Sequence, residues 1–218
     1  MSLEIADLSP AAVLSDLDGV LVDSGDSIEV TWSTWARSHG LDPEVLRGRI
    51  HGRPSSDVIA EVAPHLDVAA EAAVVERMDI EGPPARLLPG ARELLGGAVG
   101  VPVAVVTSCP DELAHVRLTA VGLPVPAVLV TSDRVSAGKP DPEGYRLGAA
   151  ELGVDPARCV VFEDAPAGVA AGAAAGAVVV GITTTHEPSE LRAAGAIGTA
   201  ANVAAALAAL FGTAERRR

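Results

Sequence analysis

A chain of 218 residues, 49% hydrophobic and 21% charged, is long enough for one large domain or for a core domain carrying an insertion, and its composition is globular rather than disordered. Its formal net charge of -13 argues against nucleic acid and against an anionic membrane as partners, because both are held by Lys and Arg that neutralise phosphates. The apolar segments are too short to span a bilayer, and the acidic start "MSLEIADLSP" lacks the basic and long apolar stretches of an export signal. Cys109 and Cys159 form neither a disulfide framework nor a zinc-spaced set, so a cytoplasmic protein with two reduced, packed thiols is expected. The terminal "RRR" reads as a solvated tail.

In chain order, five apolar runs rich in Val alternate with segments of helical pattern. The runs are "AAVLSD" (11–16), "VPVAVVTS" (101–108), "PAVLVTS" (126–132), "RCVVFED" (158–164) and "AVVVGITTT" (177–185). Being apolar on both faces, they suit strands of a parallel sheet covered by helices on each side. Helices are expected at roughly 90–99, 110–121, 142–152 and 166–175, giving right-handed crossovers between the strands. The fold class is therefore α/β, a doubly wound parallel sheet of Rossmann-like type.

The interval from 25 to about 87 is far longer than one crossover and holds no parallel-strand candidate. "SIEVTWSTWARSHG" places Ile28, Trp32 and Trp35 near one helical face with Gly40 able to end the helix, and "RPSSDVIAEVAP" and "AAEAAVVERMDI" offer two more helices. "GPPARLLPG" then returns the chain with the composition of a semi-rigid hinge. The expectation is a small all-α cap, residues 25–86, inserted into a catalytic core formed by 1–24 and 87–218.

Ligands of an open α/β sheet bind beyond the carboxyl ends of its strands. Those ends carry Asp16 and Asp18 after the first run, Thr107 and Ser108 after the second, and Glu163 and Asp164 after the fourth; Lys139, the only lysine of the chain, follows the third in "AGKPDP". So many carboxylates converging out of water repel one another unless a cation compensates. Oxygen ligands without His or Cys favour a hard ion such as Mg²⁺, which shares the oxygens of a substrate phosphate. Thr107 and Ser108 can then bind phosphate oxygens and Lys139 supplies a positive point charge. Of the two acids at the first strand end, Asp16 is placed to attack phosphorus and Asp18 to protonate the leaving oxygen.

These residues resemble the motif set of the haloacid dehalogenase (HAD) superfamily, in its phosphatase and phosphomutase branch with a helical cap after the first strand. "DLDGVLVDS", "VVTS", "GKPDP" and "FEDAPAG" match its four motifs in order and spacing. The resemblance implies a phosphoaspartate at Asp16, with Asp18 as acid and then base. It implies Mg²⁺ at the Asp16 carboxylate, the Asp18 carbonyl and Asp164, with Glu163 either a ligand or a neighbouring acid. Thr107 and Lys139 take the phosphate-binding positions, and the cap closes over a small phosphorylated metabolite in a monomer or weak dimer.

Within the superfamily, Asp18 argues against a halide-releasing enzyme, and the lysine-free cap argues against Schiff-base phosphonate hydrolysis. "HGRPSSDVIAEVAP" is similar to the cap of glycerol phosphate and sugar phosphate phosphatases, including those for 2-deoxyglucose 6-phosphate. There Gly52 lets the backbone approach the substrate, and His51 and Arg53 can donate to hydroxyls or phosphate. A sugar phosphomutase of the beta-phosphoglucomutase type is the alternative, disfavoured by the absence of His between Asp23 and His39. A non-catalytic phosphometabolite-binding protein is the third reading. Asp23 is assigned to a turn, Cys109 to packing, His115 and His186 to the surface, and Trp32 and Trp35 to the cap core rather than the pocket.

Overall fold

A computed structural model describes residues 4–212. The residues of the "RRR" tail lie outside that range. Six parallel strands form the main sheet: β1 (Ala12–Ser15), β4 (Val103–Val106), β5 (Val128–Val130), β6 (Cys159–Glu163), β7 (Val178–Ile182) and β8 (Gly198–Ala200). Their spatial order is β5-β4-β1-β6-β7-β8. The chain thus winds outward from β1 in both directions, first through β4 to β5 and then, restarting beside β1, through β6 to β8. The C-terminal end of β1 is the point where that order reverses, which is where such sheets leave a crevice.

Alternation along β1 divides the core. Val13 faces one layer with Val105, Val160, Phe162 and Val180, covered by α4 (Ala91–Leu95), α5 (Asp111–Ala120) and α9 (Val203–Phe211). Ala12 and Leu14 face the other with Ala104, Val106 and Val161, covered by α6 (Glu143–Glu151), α7 (Pro166–Ala174) and α8 (Pro188–Ala194). Both faces are dry, which is why the strands read as unbroken apolar runs rather than alternating ones.

The interval after β1 holds three helices, α1 (Gly25–Ser38), α2 (Ser55–Val62) and α3 (Val68–Glu81), around a core of their own. Trp32, Trp35, Ile28, Leu46, Ile59 and Val75 fill it. The two indoles meet edge to face at 5.5 Å, and Trp35 Nε1 donates to Glu71 on α3 at 2.8 Å. Gly40, at φ 69°, stops the first helix as the sequence indicates. The two connections to the sheet run side by side as a short antiparallel ribbon, β2 (Val22–Asp23) with β3 (Arg86–Leu87). Its two-residue strands are too short to leave a periodic signal.

Three differences from the sequence expectations have simple causes. The helix expected over 90–99 closes at Leu95, because Gly96 and Gly97 follow and Gly97 takes a positive φ of 80°. The third run forms only Val128–Val130, since two prolines precede it and cannot donate to a ladder. The edge strand β8 was not foreseen: "GTA" carries no apolar alternation and forms a strand only because β7 offers it an open edge. Among the described residues no helix is long and apolar enough to cross a membrane.

Candidate active site

At the end of β1 the Asp16 backbone N–H donates to Phe162 on β6 at 3.0 Å, which holds the residue against the neighbouring strand end. Its carboxylate is 3% exposed and meets Lys139 Nζ at 2.8 Å. The same ammonium reaches Glu163 Oε1 at 2.6 Å and donates to the Val106 carbonyl at 3.0 Å, and it sits 5.3 Å from the centre of the Tyr145 ring. Four residues distant in sequence therefore share one cation. Tyr145 donates its hydroxyl to Glu163 Oε1 at 2.6 Å.

Asp164 completes the cluster. Carboxylate oxygens of Asp16, Glu163 and Asp164, all three buried, lie within 4.8 Å of one another. Burial pushes the Asp16 carboxyl up to about 7, with Lys139 pulling it down and Glu163 pushing it further up. Burial, and then Asp16, holds Asp164 well above the usual carboxylate range. Lys139 is held above its ordinary value: burial opposes its charge, and the carboxylates of Asp16 and Glu163 overcome it. Three buried acids against one lysine form an all-oxygen site short of positive charge, the chemistry that suits a hard divalent cation. Of the three, Glu163 is the most engaged elsewhere, since Oε1 serves Lys139 and Tyr145 while Oε2 accepts from the Ala165 N–H at 3.4 Å.

The glycine of "DLDG" has a spatial reason. Gly19 has φ 74°, and a Cβ there would lie 2.0 Å from Asp164 Oδ2. The Asp164 carboxylate occupies the volume a side chain at Gly19 would need, and Thr185, from the loop after β7, donates to its Oδ2. Gly168 of α7 does the same for Glu163, whose Oε1 would lie 1.8 Å from an added Cβ.

Asp18 points elsewhere. Ser24 Oγ donates to its Oδ1 at 2.6 Å, and Arg117 on α5 pairs with its Oδ2. Its carboxylate is not part of the three-acid group. Thr107 is buried at the end of β4, with Oγ1 accepting from the Cys109 N–H at 3.3 Å. Ser108 spends its hydroxyl on the cap, donating to the Gly52 carbonyl at 3.1 Å.

Above these residues lies a cleft of about 220 Å³ between core and cap. Asp16, Asp18, Thr107, Ser108 and Asp164 line its floor; Trp32, Ile50, His51, Gly52 and Arg53 line its cap side. The cap residues named from sequence thus face the acids. Gly52 comes so close that a Cβ would stand 2.8 Å from Ala165 Cβ, and it has φ 70°. Arg53 is paired with Glu61 on α2 at 2.9 Å. His51 Nε2 lies 3.8 Å from Glu29, and the ring meets His186 edge-on at 6.4 Å. Burial lowers the His51 imidazole below its ordinary value against the pull of Glu29. Trp32 belongs both to the cap core and to the cleft wall, so the two readings of that residue coincide. Cys109 is a buried thiol pushed up to about 12 by its burial, as a packing residue should be.

Sequence reasoning missed Arg117, Asp79, Tyr145 and Thr185. Each lies within a helix or loop at no fixed distance from a motif, and its partner is 18 or more residues away along the chain. Their only sequence signal is polarity at positions that the helical pattern would otherwise leave to solvent or core.

A family model of haloacid dehalogenase-like hydrolases matches residues 10–176. Hexitol phosphatase A of Escherichia coli is 43% identical over 184 residues, covering 82% of this chain and 85% of that one. The 2-deoxyglucose-6-phosphate phosphatase 2 of Saccharomyces cerevisiae is 34% identical over 209 residues, covering 84% of each. A hydrolase structure from Pseudomonas syringae superposes with a TM-score of 0.80 at 23% identity over 91% of this chain and 96% of the other, a likeness of fold. The chain belongs to the haloacid dehalogenase-like hydrolase family.

Proposed function

We propose that this protein is a phosphomonoesterase that removes phosphate from small sugar or polyol phosphates. The observation that carries the reading is the buried set of Asp16, Lys139, Glu163 and Asp164, of which Asp16 and Asp164 line the floor of a cap-covered cleft while Lys139 pairs with Asp16 and Glu163. The two named relatives, one for a hexitol and one for a deoxyhexose phosphate, support the substrate class.

Asp16 attacks phosphorus as the bond from phosphorus to the ester oxygen breaks, and a phosphoaspartate forms. Asp18 gives its proton to the departing oxygen. In the second half, Asp18 takes a proton from a water whose oxygen attacks the same phosphorus, and the bond to Asp16 breaks. Lys139 holds the attacking carboxylate in place and offsets its charge, while Thr107, and Ser108 when freed from Gly52, contact the phosphate oxygens. The Asp16 and Asp164 carboxylates and the Asp18 carbonyl would hold Mg²⁺, which would supply positive charge to the transferring phosphoryl group, with Glu163 anchoring Lys139. Residues 25–86 act as a cap on the core of 1–24 and 87–218, excluding water from the first step, with His51, Gly52 and Arg53 meeting the leaving group. The proposed working form is a monomer or weak dimer in the cytoplasm.

Phosphate release from glycerol, hexitol, hexose and 2-deoxyhexose phosphates with Mg²⁺ tests the proposal, alongside Asp16→Asn. Turnover by the natural chain and none by the variant is expected, because an amide is a poor nucleophile; wild-type release by Asp16→Asn would sink the mechanism. A hexose 1-phosphate converted to its 6-isomer in the presence of a trace of bisphosphate would instead mark a phosphomutase. Binding of these compounds without any release would mark a non-catalytic binder.

A further inference from the structure

Asp18 and the cap are joined through one buried cation. Arg117 on α5 is 6% exposed; one of its amino nitrogens meets the Asp18 carboxylate and the other meets Asp79 on α3. Asp79 is fixed on its other oxygen by Ser27 of α1, which donates at 2.7 Å. Both connections to the cap meet here. Ser24, the second donor to Asp18, directly precedes α1, and Asp79 stands three residues before Gly82, where the returning connection begins. A recess of about 90 Å³ adjoins these residues, lined by Ser24, Ser27, Asp79, Gly82, Pro84 and Arg117. It runs along the return connection next to the ion pairs.

On the reading of Asp18 as acid and base given above, we propose that Arg117 is a positioning residue that couples the orientation of the Asp18 carboxylate to the seating of the cap through Asp79. Both Asp18 oxygens are engaged from the hinge side, by Ser24 and Arg117. To reach a leaving oxygen over Asp16, the carboxylate must turn from Arg117. A buried guanidinium that loses one carboxylate stays compensated only if another remains on it. Asp79 is that second carboxylate, and it rides on the cap. Displacement of the cap alters the hold of Asp79 on Arg117, and with it how firmly Arg117 retains Asp18. Arg117 presents a separate amino nitrogen to each carboxylate in one rigid plane, a geometry that the single nitrogen of a lysine would not reproduce.

The test compares the sugar or polyol phosphate turned over best with p-nitrophenyl phosphate, whose leaving group departs without a proton. In a reaction through a covalent intermediate, kcat/KM covers the steps up to departure of the first product. Misplacing the acid therefore lowers kcat/KM for the alcohol ester more than for the nitrophenyl ester. In Arg117→Lys the ratio of the two values is expected to fall about ten-fold or more, part of the ~10²–10⁴ that a positioned acid supplies. Asp79→Asn keeps an acceptor for Ser27 and leaves Arg117 to Asp18 alone; it reads the same ratio, with the same direction expected, should Arg117→Lys fail to fold. Equal losses on both substrates, or an unchanged ratio in a folded variant, would overturn the coupling. Absence of turnover of either substrate by the natural chain would overturn the phosphatase reading itself.

Discussion

Replacing Gly19 by alanine isolates the link between backbone conformation and Asp164, one of the acids proposed to hold the metal. The added methyl would stand 2.0 Å from Asp164 Oδ2 and 2.6 Å from its Cγ, so the carboxylate must retreat by more than about 1 Å to reach ordinary contact. It has little room to do so, because Asp164 is 3% exposed and Thr185 Cγ2 lies 3.2 Å from the same point. At φ 74° the alanine also meets the left-handed penalty of roughly 1–2 kcal/mol. For a domain of this size that penalty lowers Tm by about 2–8 °C without metal. Mg²⁺ tolerates little departure from octahedral geometry at ~2.0–2.1 Å, so a displaced Asp164 should weaken its binding ten-fold or more. The assay is thermal unfolding across a Mg²⁺ titration, paired with the Mg²⁺ dependence of phosphate release. The expected result is a modest drop in metal-free Tm and a large rise in the Mg²⁺ needed for half-maximal stabilisation and activity. Wild-type Mg²⁺ dependence in both assays would refute the placement of Asp164 against Gly19 as a metal-binding arrangement.

Lys139→Met leaves Asp16 and Glu163 facing each other without their ammonium, at 3% and 0% exposure, and should cost about 3–5 kcal/mol in chemical denaturation as well as turnover. The pH dependence follows from the raised Asp16 carboxyl. Its proton is kept on folding, so this contribution to metal-free stability is complete below the unfolded value of 3.8 and is lost as pH rises through about 7. Because Mg²⁺ must displace that proton, the Tm increase it produces should be larger at about pH 7.5 than at about pH 5.5; an equal increase at both would contradict the assignment. Burial should shield Cys109: with its thiol pushed up to about 12, alkylation of the native protein near pH 8 is expected to be at least ~10³-fold slower than that of a free cysteine, followed by mass spectrometry.

Asp16, Asp18, Thr107, Lys139 and Asp164 were legible because each follows an apolar run, and a strand buried on both faces announces its own end when polarity returns. The parallel sheet makes those ends neighbours whatever the strand order, so four short strings sufficed to bring these residues together. The helical cap was legible for a related reason: 62 residues without a strand candidate cannot be one crossover, and their apolar spacing is helical. Gly19 and Gly168 could be seen as motif residues, but the acids that occupy their missing side-chain volume could not.

What the sequence by itself determined is the layer architecture, the inserted cap and the identity of the acids and lysine at the sheet edge, because periodicity and strand ends are local properties of the chain. Only the tertiary structure decided how those groups divide their partners. Lys139 is shared between Asp16 and Glu163, Tyr145 anchors Glu163, and Asp18 turns from the acid cluster towards Arg117 and, through it, Asp79. Each of these pairings closes a loop of 18 to 123 residues. No local pattern encodes such a contact. It is selected when burial removes water and every remaining charge must find a partner among whatever the fold has brought within reach.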